Sequence, residues 1–143
     1  MSLIINNLYI GNWYDASNHV WLHTKNIKYI LNCAKELPCP YTDCFTYKHV
    51  LLDDTPDQDI LQYKQDVINF IDNAMKTNSP IFVHCAAGIS RSVSMVMFYL
   101  LHLRENNKLF STGSKFHKCL KIIRDKRPIA RPNSGFENQL RSL

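Results

Sequence analysis

The chain has 143 residues, of which 45% are hydrophobic, so it is long enough for one domain with a proper core and too short for a second. Its net charge of +5 and pI near 9.0 favour anionic partners, but they do not identify a nucleic-acid-binding protein. An apolar stretch of 18 residues and a signal-peptide pattern are both missing from the sequence, which argues against the membrane-spanning and secreted classes, so we expect a cytoplasmic protein, with the nucleus as the other possibility.

Short apolar runs alternate along the chain with longer segments of helical periodicity. β-branched and aromatic residues indicate strands at 3–5, 8–10, 28–32, 47–51 and 81–83. Helical spacing of apolar residues predicts helices over 60–75 and 93–103, and around 116–123 before Pro128. Asn26 stands where a helix C-cap requires the left-handed conformation. The alternation predicts an α/β fold, with one domain over residues 1–143.

Five cysteines lie at irregular positions along the chain: Cys33, Cys39, Cys44, Cys85 and Cys119. An odd number without regular spacing is typical of reduced thiols rather than of a disulfide framework. Cys39 and Cys44 have no second pair at metal-ligand spacing, so we expect no metal site. We also expect no cofactor.

An acidic segment, Leu51–Ile60, lies between the fourth predicted strand and the next helix. An aspartate in such a segment can act as a general acid, which protonates the oxygen of a leaving group. The sequence Thr55-Pro56-x-Gln58 also has the form of a capping box with proline at the first helical position. The segment alone therefore supports two interpretations, a loop that presents an acid and a solvated turn that caps a helix.

The most informative stretch, His84–Ser92, lies between a buried strand and a helix. Backbone N–H groups and the positive end of the helix dipole converge at such a junction, so we expect Cys85 to be ionised and nucleophilic. The guanidinium of Arg91 can bind two oxygens of one oxyanion. Gly88 allows the tight turn, and the small side chains of the two alanines before it leave room for a substrate. A lone cysteine after a strand is usually a core residue, but this combination favours an anion-binding loop with a nucleophile.

These motifs resemble the dual-specificity branch of the cysteine-based protein phosphatases. The stretch His84–Ser92 matches the signature His-Cys-x-x-Gly-x-x-Arg-Ser/Thr. Further segments of the same catalytic domain are resembled by Leu8–Asn12, Ile30–Glu36, Arg127–Ala130, Pro132–Phe136 and Gln139-Leu140. The resemblance implies the small, catalytic-domain-only (atypical) type. It also implies the phosphatase fold, with a twisted, mostly parallel sheet of about five strands flanked by about six helices.

The resemblance also implies the roles of individual residues in a two-step displacement at phosphorus. Cys85 would be the nucleophile, and Arg91 would bind the phosphoryl oxygens with the N–H groups of five residues: Ala86, Ala87, Gly88, Ile89 and Ser90. Ser92 would hydrogen-bond the sulfur and help it to depart. His84 would orient the loop, and Asn133 would brace it, although Asn133 is equally well explained as a turn residue after Pro132.

For the general acid, the resemblance points to the aspartate that precedes an Asp-Ile pair by five residues. Asp54 stands at that distance from Asp59-Ile60. Asp53 is the next candidate and Asp57 the third.

The loop residues bear on the substrate. Inositol-lipid phosphatases of the superfamily carry lysines in the loop, whereas this chain has Ala86, Ala87 and Ile89, and we find no room for the long tyrosine-bearing loop of tyrosine-specific enzymes. We therefore expect a monomeric phosphatase acting on phosphotyrosine, phosphoserine and phosphothreonine of a phosphorylated protein, with no membrane partner.

Two alternatives remain open. One is an RNA 5′-phosphatase or another non-protein phosphate monoesterase, for which nucleic acid is a possible but not an expected partner. It is favoured by basic residues that could equally form a solvated helix face: Lys115, Lys118, Lys121, Arg124, Lys126, Arg127 and Arg131. The other is a non-catalytic module that binds phosphoprotein, which the joint presence of Cys85, Arg91 and Asp54 disfavours.

Overall fold

A five-stranded sheet organises the computed structural model, which describes residues 1–105 and 114–143. The strands are β1 (Ser2–Ile5), β2 (Leu8–Gly11), β3 (Tyr29–Asn32), β4 (Thr46–His49) and β5 (Ile81–His84). They lie in the order β1-β2-β5-β3-β4, with β1 and β2 antiparallel and the other three pairings parallel. The predicted α/β class and the mostly parallel sheet are confirmed.

Six α-helices lie in the described part of the chain, as expected. They are α1 (Trp13–Ala16), α2 (His19–Thr24), α3 (Lys64–Lys76), α4 (Arg91–Glu105), α5 (Lys115–Lys126) and α6 (Ser134–Arg141), and a 3-10 helix over Leu61–Tyr63 precedes α3. Within residues 1–105 and 114–143, no helix has the length and apolar character needed to cross a bilayer.

The central strand β5 is buried on both faces of the sheet. Ile81 and Val83 belong to the larger core, which α3, α4, α5 and α6 cover, whereas Phe82 faces a smaller core together with Leu22 of α2. Successive side chains of a strand point to opposite faces, so a buried strand of this kind is apolar throughout. Helix α4, which follows β5, is buried from Arg91 to Leu101. The strand–loop–helix unit is therefore held rigidly in the middle of the protein.

Strand register brings several chain segments together at one edge of the sheet. Gly11 of β2 and Asn32 of β3 both lie level with His84 of β5, and His49 of β4 lies level with Asn32. The carboxyl ends of these four parallel strands therefore coincide, which is where ligand sites form in open α/β sheets. The segments that follow the four strands supply the candidate active site.

One of the two interpretations of the acidic segment is wrong. The capping box over Thr55–Gln58 is not formed, because no helix begins there and the side-chain oxygen of Gln58 accepts the N–H of Asp53 instead, over 3.0 Å. Tertiary contacts of this segment outweigh its local helix-start signal. The helix predicted over 60–75 is observed as the 3-10 helix followed by α3. The prediction for Asn26 is confirmed, since its φ is 60° in the position after Lys25, the C-cap of α2.

Candidate active site

Cys85 lies at the bottom of the β5–α4 loop, which comprises Cys85–Ser90. Its side chain is only 3% exposed. The sulfur accepts the backbone N–H of Gly88 over 3.3 Å and lies 3.2 Å from the hydroxyl oxygen of Ser92, in the first turn of α4. The sulfur therefore has one main-chain donor and one neighbouring hydroxyl, and it lies at the N-terminus of α4.

The outer part of the same loop is open to solvent. Ala86 and Ala87 are exposed, Ile89 is half-buried, and Gly88 and Ser90 are buried. Gly88 has a φ of +69°, which lets the loop turn back over the sulfur of Cys85. The two exposed residues of the loop thus carry small side chains.

Arg91 is held from one side by a carboxylate that the sequence analysis did not assign to the site. Its Nη1 and Nη2 donate to Oε1 and Oε2 of Glu36 over 2.6 and 2.8 Å, and Nη1 also donates to the carbonyl of Leu52 over 3.0 Å. The ion pair lowers the pKa of Glu36 to about 2 and raises that of Arg91. Glu36 follows the carboxyl end of β3, beside β5, and an acidic residue after a buried strand is the only local sign of its position.

The pattern of these contacts leaves one edge of the Arg91 guanidinium available. Nη1 and Nη2 each point one hydrogen at Glu36, so the carboxylate covers the end of the guanidinium that these two nitrogens form. Nε is buried and has no hydrogen-bond partner among the residues that the structure describes. The unused Nε–H therefore lies next to the second hydrogen of Nη2, and together they form a two-donor fork that fits two oxygens of an oxyanion.

Asp54 contacts Asn133, the residue that the resemblance implied would brace the loop. The side-chain amide of Asn133 donates to Oδ1 of Asp54 over 2.9 Å, and the backbone N–H of Asn133 donates to the hydroxyl of Ser90 over 2.9 Å. Asn133 is also the N-cap of α6, where its side-chain oxygen accepts the N–H of Phe136. Asn133 thus links the acidic segment to the β5–α4 loop.

Helix α6 holds the acidic segment at two further points. The side chain of Gln139 accepts the N–H of Ile60 over 2.8 Å and donates to the carbonyl of Gln58 over 2.9 Å. The backbone of Gly135 lies directly against Pro56, and a Cβ at Gly135 would come within 1.8 Å of the Pro56 oxygen. The segment is therefore fixed by residues far along the chain, which sequence analysis did not identify.

Electrostatics also distinguish the three aspartates proposed as the acid. Asp53, Asp54 and Asp57 are all exposed. Of these, Asp54 contributes to the raised pKa of Arg91, so its carboxylate lies within range of the guanidinium. Of the three aspartates, Asp54 is thus the one whose charge acts on Arg91.

His84 is fully buried behind the loop. Its ring stacks on Phe82 at 5.5 Å and lies 6.3 Å from the ring of Trp13, and Nδ1 is 3.4 Å from the carbonyl oxygen of Cys85. Burial lowers the pKa of His84 to about 4, so the ring is neutral near pH 7. Nε2 has no partner within the described ranges. The ring thus packs against Phe82 and Trp13, next to the start of the loop.

Known proteins resemble this chain over nearly its whole length. A profile for the dual specificity phosphatase catalytic domain matches residues 8–143. Dual specificity protein phosphatase 1B of Arabidopsis thaliana is 35% identical over 143 residues, which is 100% of this chain and 81% of the relative. Dual specificity protein phosphatase 15 of Mus musculus is 33% identical over 140 residues, 98% of this chain and 56% of the relative. A crystal structure of DUSP15 superposes with a TM-score of 0.87 at 32% identity, covering 99% of this chain and 85% of that one.

The resemblance inferred from the motifs is confirmed by these matches, which extend over nearly the whole chain. The matched range contains the β5–α4 loop, the acidic segment and α6, and therefore every part of the site described above. The chain belongs to the dual specificity phosphatase catalytic-domain family and is a cysteine-dependent protein phosphatase.

Proposed function

We propose that this protein hydrolyses phosphotyrosine, phosphoserine and phosphothreonine in proteins through a phosphorylated Cys85. One observation carries the proposal: the buried sulfur accepts a loop N–H in the same site where Arg91 keeps an unused two-donor fork. A thiolate and a fork of donors, placed together, suit attack on a tetrahedral phosphoryl group.

In the first step, the thiolate of Cys85 attacks phosphorus in line with the ester oxygen. The S–P bond forms as the P–O bond to the substrate breaks, and the fork of Arg91 and the loop N–H groups bind the three equatorial oxygens. These donors carry most of the stabilisation, because charge on those oxygens must be balanced throughout the transfer. Glu36 supports this role, since it holds the guanidinium in one orientation before substrate binds.

Asp54 supplies the proton for the leaving oxygen. An alkoxide leaves poorly without protonation, so the acid matters most for phosphoserine and phosphothreonine. We favour Asp54 over Asp53 and Asp57 because Asn133 hydrogen-bonds Asp54 and Ser90 at the same time.

In the second step, water attacks the phosphorus of the cysteinyl phosphate and gives a proton to the carboxylate of Asp54. The O–P bond forms while the S–P bond breaks, which releases inorganic phosphate and restores the thiolate. The hydroxyl of Ser92, at 3.2 Å from the sulfur, stabilises the departing thiolate.

We infer that a shallow opening above the sulfur accepts both phosphotyrosine and phosphoserine. The exposed Ala86 and Ala87 at its rim place no large side chain between solvent and the buried sulfur. A short side chain such as phosphoserine can therefore bring its phosphorus to Cys85. The RNA 5′-phosphatase and the non-catalytic binding module are not favoured.

We propose further that the enzyme acts as a monomer in the cytoplasm or nucleus, without a metal cofactor or a membrane partner. Reducing conditions of these compartments suit a catalytic thiol. The guanidinium and the loop N–H groups supply the positive charge that a metal would otherwise provide. Activity that persists in EDTA, and a monomer mass by light scattering, are the expected results.

The test of the proposed function compares the wild type with Cys85→Ser. On an aryl phosphate, we expect the variant to lose on the order of 10⁴-fold or more in kcat. Phosphotyrosine and phosphothreonine peptides should both release phosphate with the wild type, and a 5′-triphosphorylated RNA should not. A wild type that is indistinguishable from Cys85→Ser on every ester would refute the enzymatic function.

A further inference from the structure

Each main-chain carbonyl oxygen of residues 86–90 accepts a hydrogen bond from another part of the protein. Main-chain N–H groups are the donors at three positions: Trp13 to Ala86 at 3.1 Å, Arg131 to Ile89 at 2.7 Å and Ser94 to Ser90 at 2.9 Å. The C=O and N–H of a trans peptide point in opposite directions. When a donor outside the loop binds the carbonyl oxygen of a peptide, the N–H of that peptide therefore points toward the interior of the loop.

The two remaining carbonyl groups, at the tip of the loop, depend on one side chain. Arg127 donates through Nε to the carbonyl of Gly88 over 2.7 Å and through Nη2 to that of Ala87 over 3.4 Å. Its third nitrogen, Nη1, donates to the hydroxyl of Ser2 over 3.0 Å. Arg127 lies between α5 and α6 and is only 9% exposed. Unlike the main-chain donors, this one can be removed by substitution.

The peptides that Arg127 holds are the ones whose N–H groups complete the anion site. The peptide of the Ala87 carbonyl carries the N–H of Gly88, which donates to the Cys85 sulfur over 3.3 Å. The peptide of the Gly88 carbonyl carries the N–H of Ile89. With their carbonyl oxygens held on the outside, both N–H groups face the interior of the loop.

Packing at Gly88 shows how closely the guanidinium approaches the loop. A Cβ at Gly88 would lie 2.5 Å from Nη2 of Arg127 and 2.6 Å from the carbonyl oxygen of Gly11. The glycine is therefore needed for two reasons, its φ of +69° and the space that Arg127 occupies. The guanidinium and the turn form one packed unit.

We propose that Arg127 is a positioning residue for the phosphatase reaction, holding the two peptides at the loop tip so that the N–H groups of Gly88 and Ile89 face the bound phosphoryl group. The inference rests on the proposed function, because it assigns Arg127 to the same loop. Arg127 contacts the loop from behind and does not touch the substrate. Its charge, which Asp15 balances in part, adds to the attraction for a dianion.

The experiment compares Arg127→Met and Arg127→Lys with the neighbouring control Lys126→Met, whose lysine is exposed. We expect Lys126→Met to stay within about twofold of the wild type in kcat/KM and in affinity for tungstate, a tetrahedral oxyanion. Arg127→Met should lose roughly tenfold to a hundredfold in both, the range for one or two hydrogen bonds from a charged donor. Arg127→Lys should fall between them, since an ammonium keeps the charge but not the two-nitrogen fork.

Tungstate affinity is measured by calorimetry in a Cys85→Ser background, so it does not depend on turnover. An inactive wild type would then refute the proposed function, while the tungstate result would still decide the role of Arg127. Equal tungstate affinity in Arg127→Met and Lys126→Met would overturn the inference.

A merely structural role would be recognised by a different pattern. Arg127→Lys would then unfold at lower urea concentration yet bind tungstate as the wild type does, which also overturns the inference. If Arg127→Met does not fold, the tungstate affinity of Arg127→Lys is compared with that of Lys126→Met instead. Partial recovery of aryl phosphate hydrolysis by Arg127→Ala in millimolar guanidinium would support the inference, because the added ion can occupy the vacated position.

Discussion

The β5–α4 loop and the acidic segment contribute to one site but are held in place in different ways. The loop is buried at Cys85 and connected directly to a central strand and a buried helix. The acidic segment is largely exposed, contains no helix, and is held by side chains of Asn133 and Gln139. The part that must stabilise charge on phosphorus is thus the more rigid one, and the part that delivers a proton has fewer and more exposed contacts.

Substitution of the proposed general acid, Asp54, should show most clearly that the acidic segment and the β5–α4 loop have different roles. Asp54→Asn is expected to lose roughly 10² to 10⁴-fold in kcat with phosphoserine peptides, because the leaving alkoxide then receives no proton. Esters with a good leaving group should lose much less, since the β5–α4 loop is intact. The measurement is kcat across a series of esters of different leaving-group pKa. The same pattern in Asp53→Asn, but not in Asp54→Asn, would transfer the assignment to Asp53.

A decrease in pH should destabilise the protein through the buried His84. The pKa of His84 is lowered to about 4, so between pH 6.5 and 4 the unfolded chain binds a proton that the folded protein does not. Stability therefore falls as pH decreases from 6.5 to 4, by on the order of 3 kcal/mol for the whole shift. Urea unfolding at several pH values should show that His84→Gln loses most of this dependence, whereas the exposed His19→Gln retains it. An unchanged pH dependence in His84→Gln would contradict the explanation.

Loss of the Glu36 carboxylate should weaken the loop region without changing the acid. In Glu36→Gln, one oxygen and an NH₂ group replace the two acceptors of Arg91, so the guanidinium loses its bidentate partner. We expect kcat/KM to fall roughly tenfold to a hundredfold, by a similar factor for good and poor leaving groups. The exposed Glu105→Gln is the control. A loss confined to poor leaving groups would instead place Glu36 in the proton transfer.

The smallest expected effect is at the contact between α6 and the acidic segment. Gln139→Leu keeps the approximate size of the side chain but removes the hydrogen bonds to Gln58 and Ile60. We expect about a tenfold loss in kcat for poor leaving groups only, since two neutral hydrogen bonds are lost. The exposed Gln65→Leu serves as a control.

A double variant tests whether Gln139 acts through the acid. In an Asp54→Asn background, Gln139→Leu should cause no additional loss of kcat, because two substitutions that act through the same group are not additive. A full additional loss would mean that the contact with α6 does not position Asp54.

Much of the fold could be predicted because it depends on local patterns. Strand β5 is an apolar run and α3 has regular helical spacing, so both appear in the sequence within a few residues of their observed ends. The conformation of Thr55–Gln58 could not be predicted, because a local capping signal there competed with contacts to α6. A pattern of neighbouring residues carries no information about such a contact.

The sequence by itself determined the chemical centre of this protein, because Cys85, Gly88, Arg91 and Ser92 lie within eight residues and a strand–turn–helix junction brings them together. Tertiary structure alone decided which residues support that centre: Glu36 is 55 residues from Arg91, Arg127 is 39 from Gly88 and Asn133 is 79 from Asp54. The reason is physical. Local backbone geometry depends on neighbours in the chain, whereas these hydrogen bonds depend on strand order, on register and on where α6 packs.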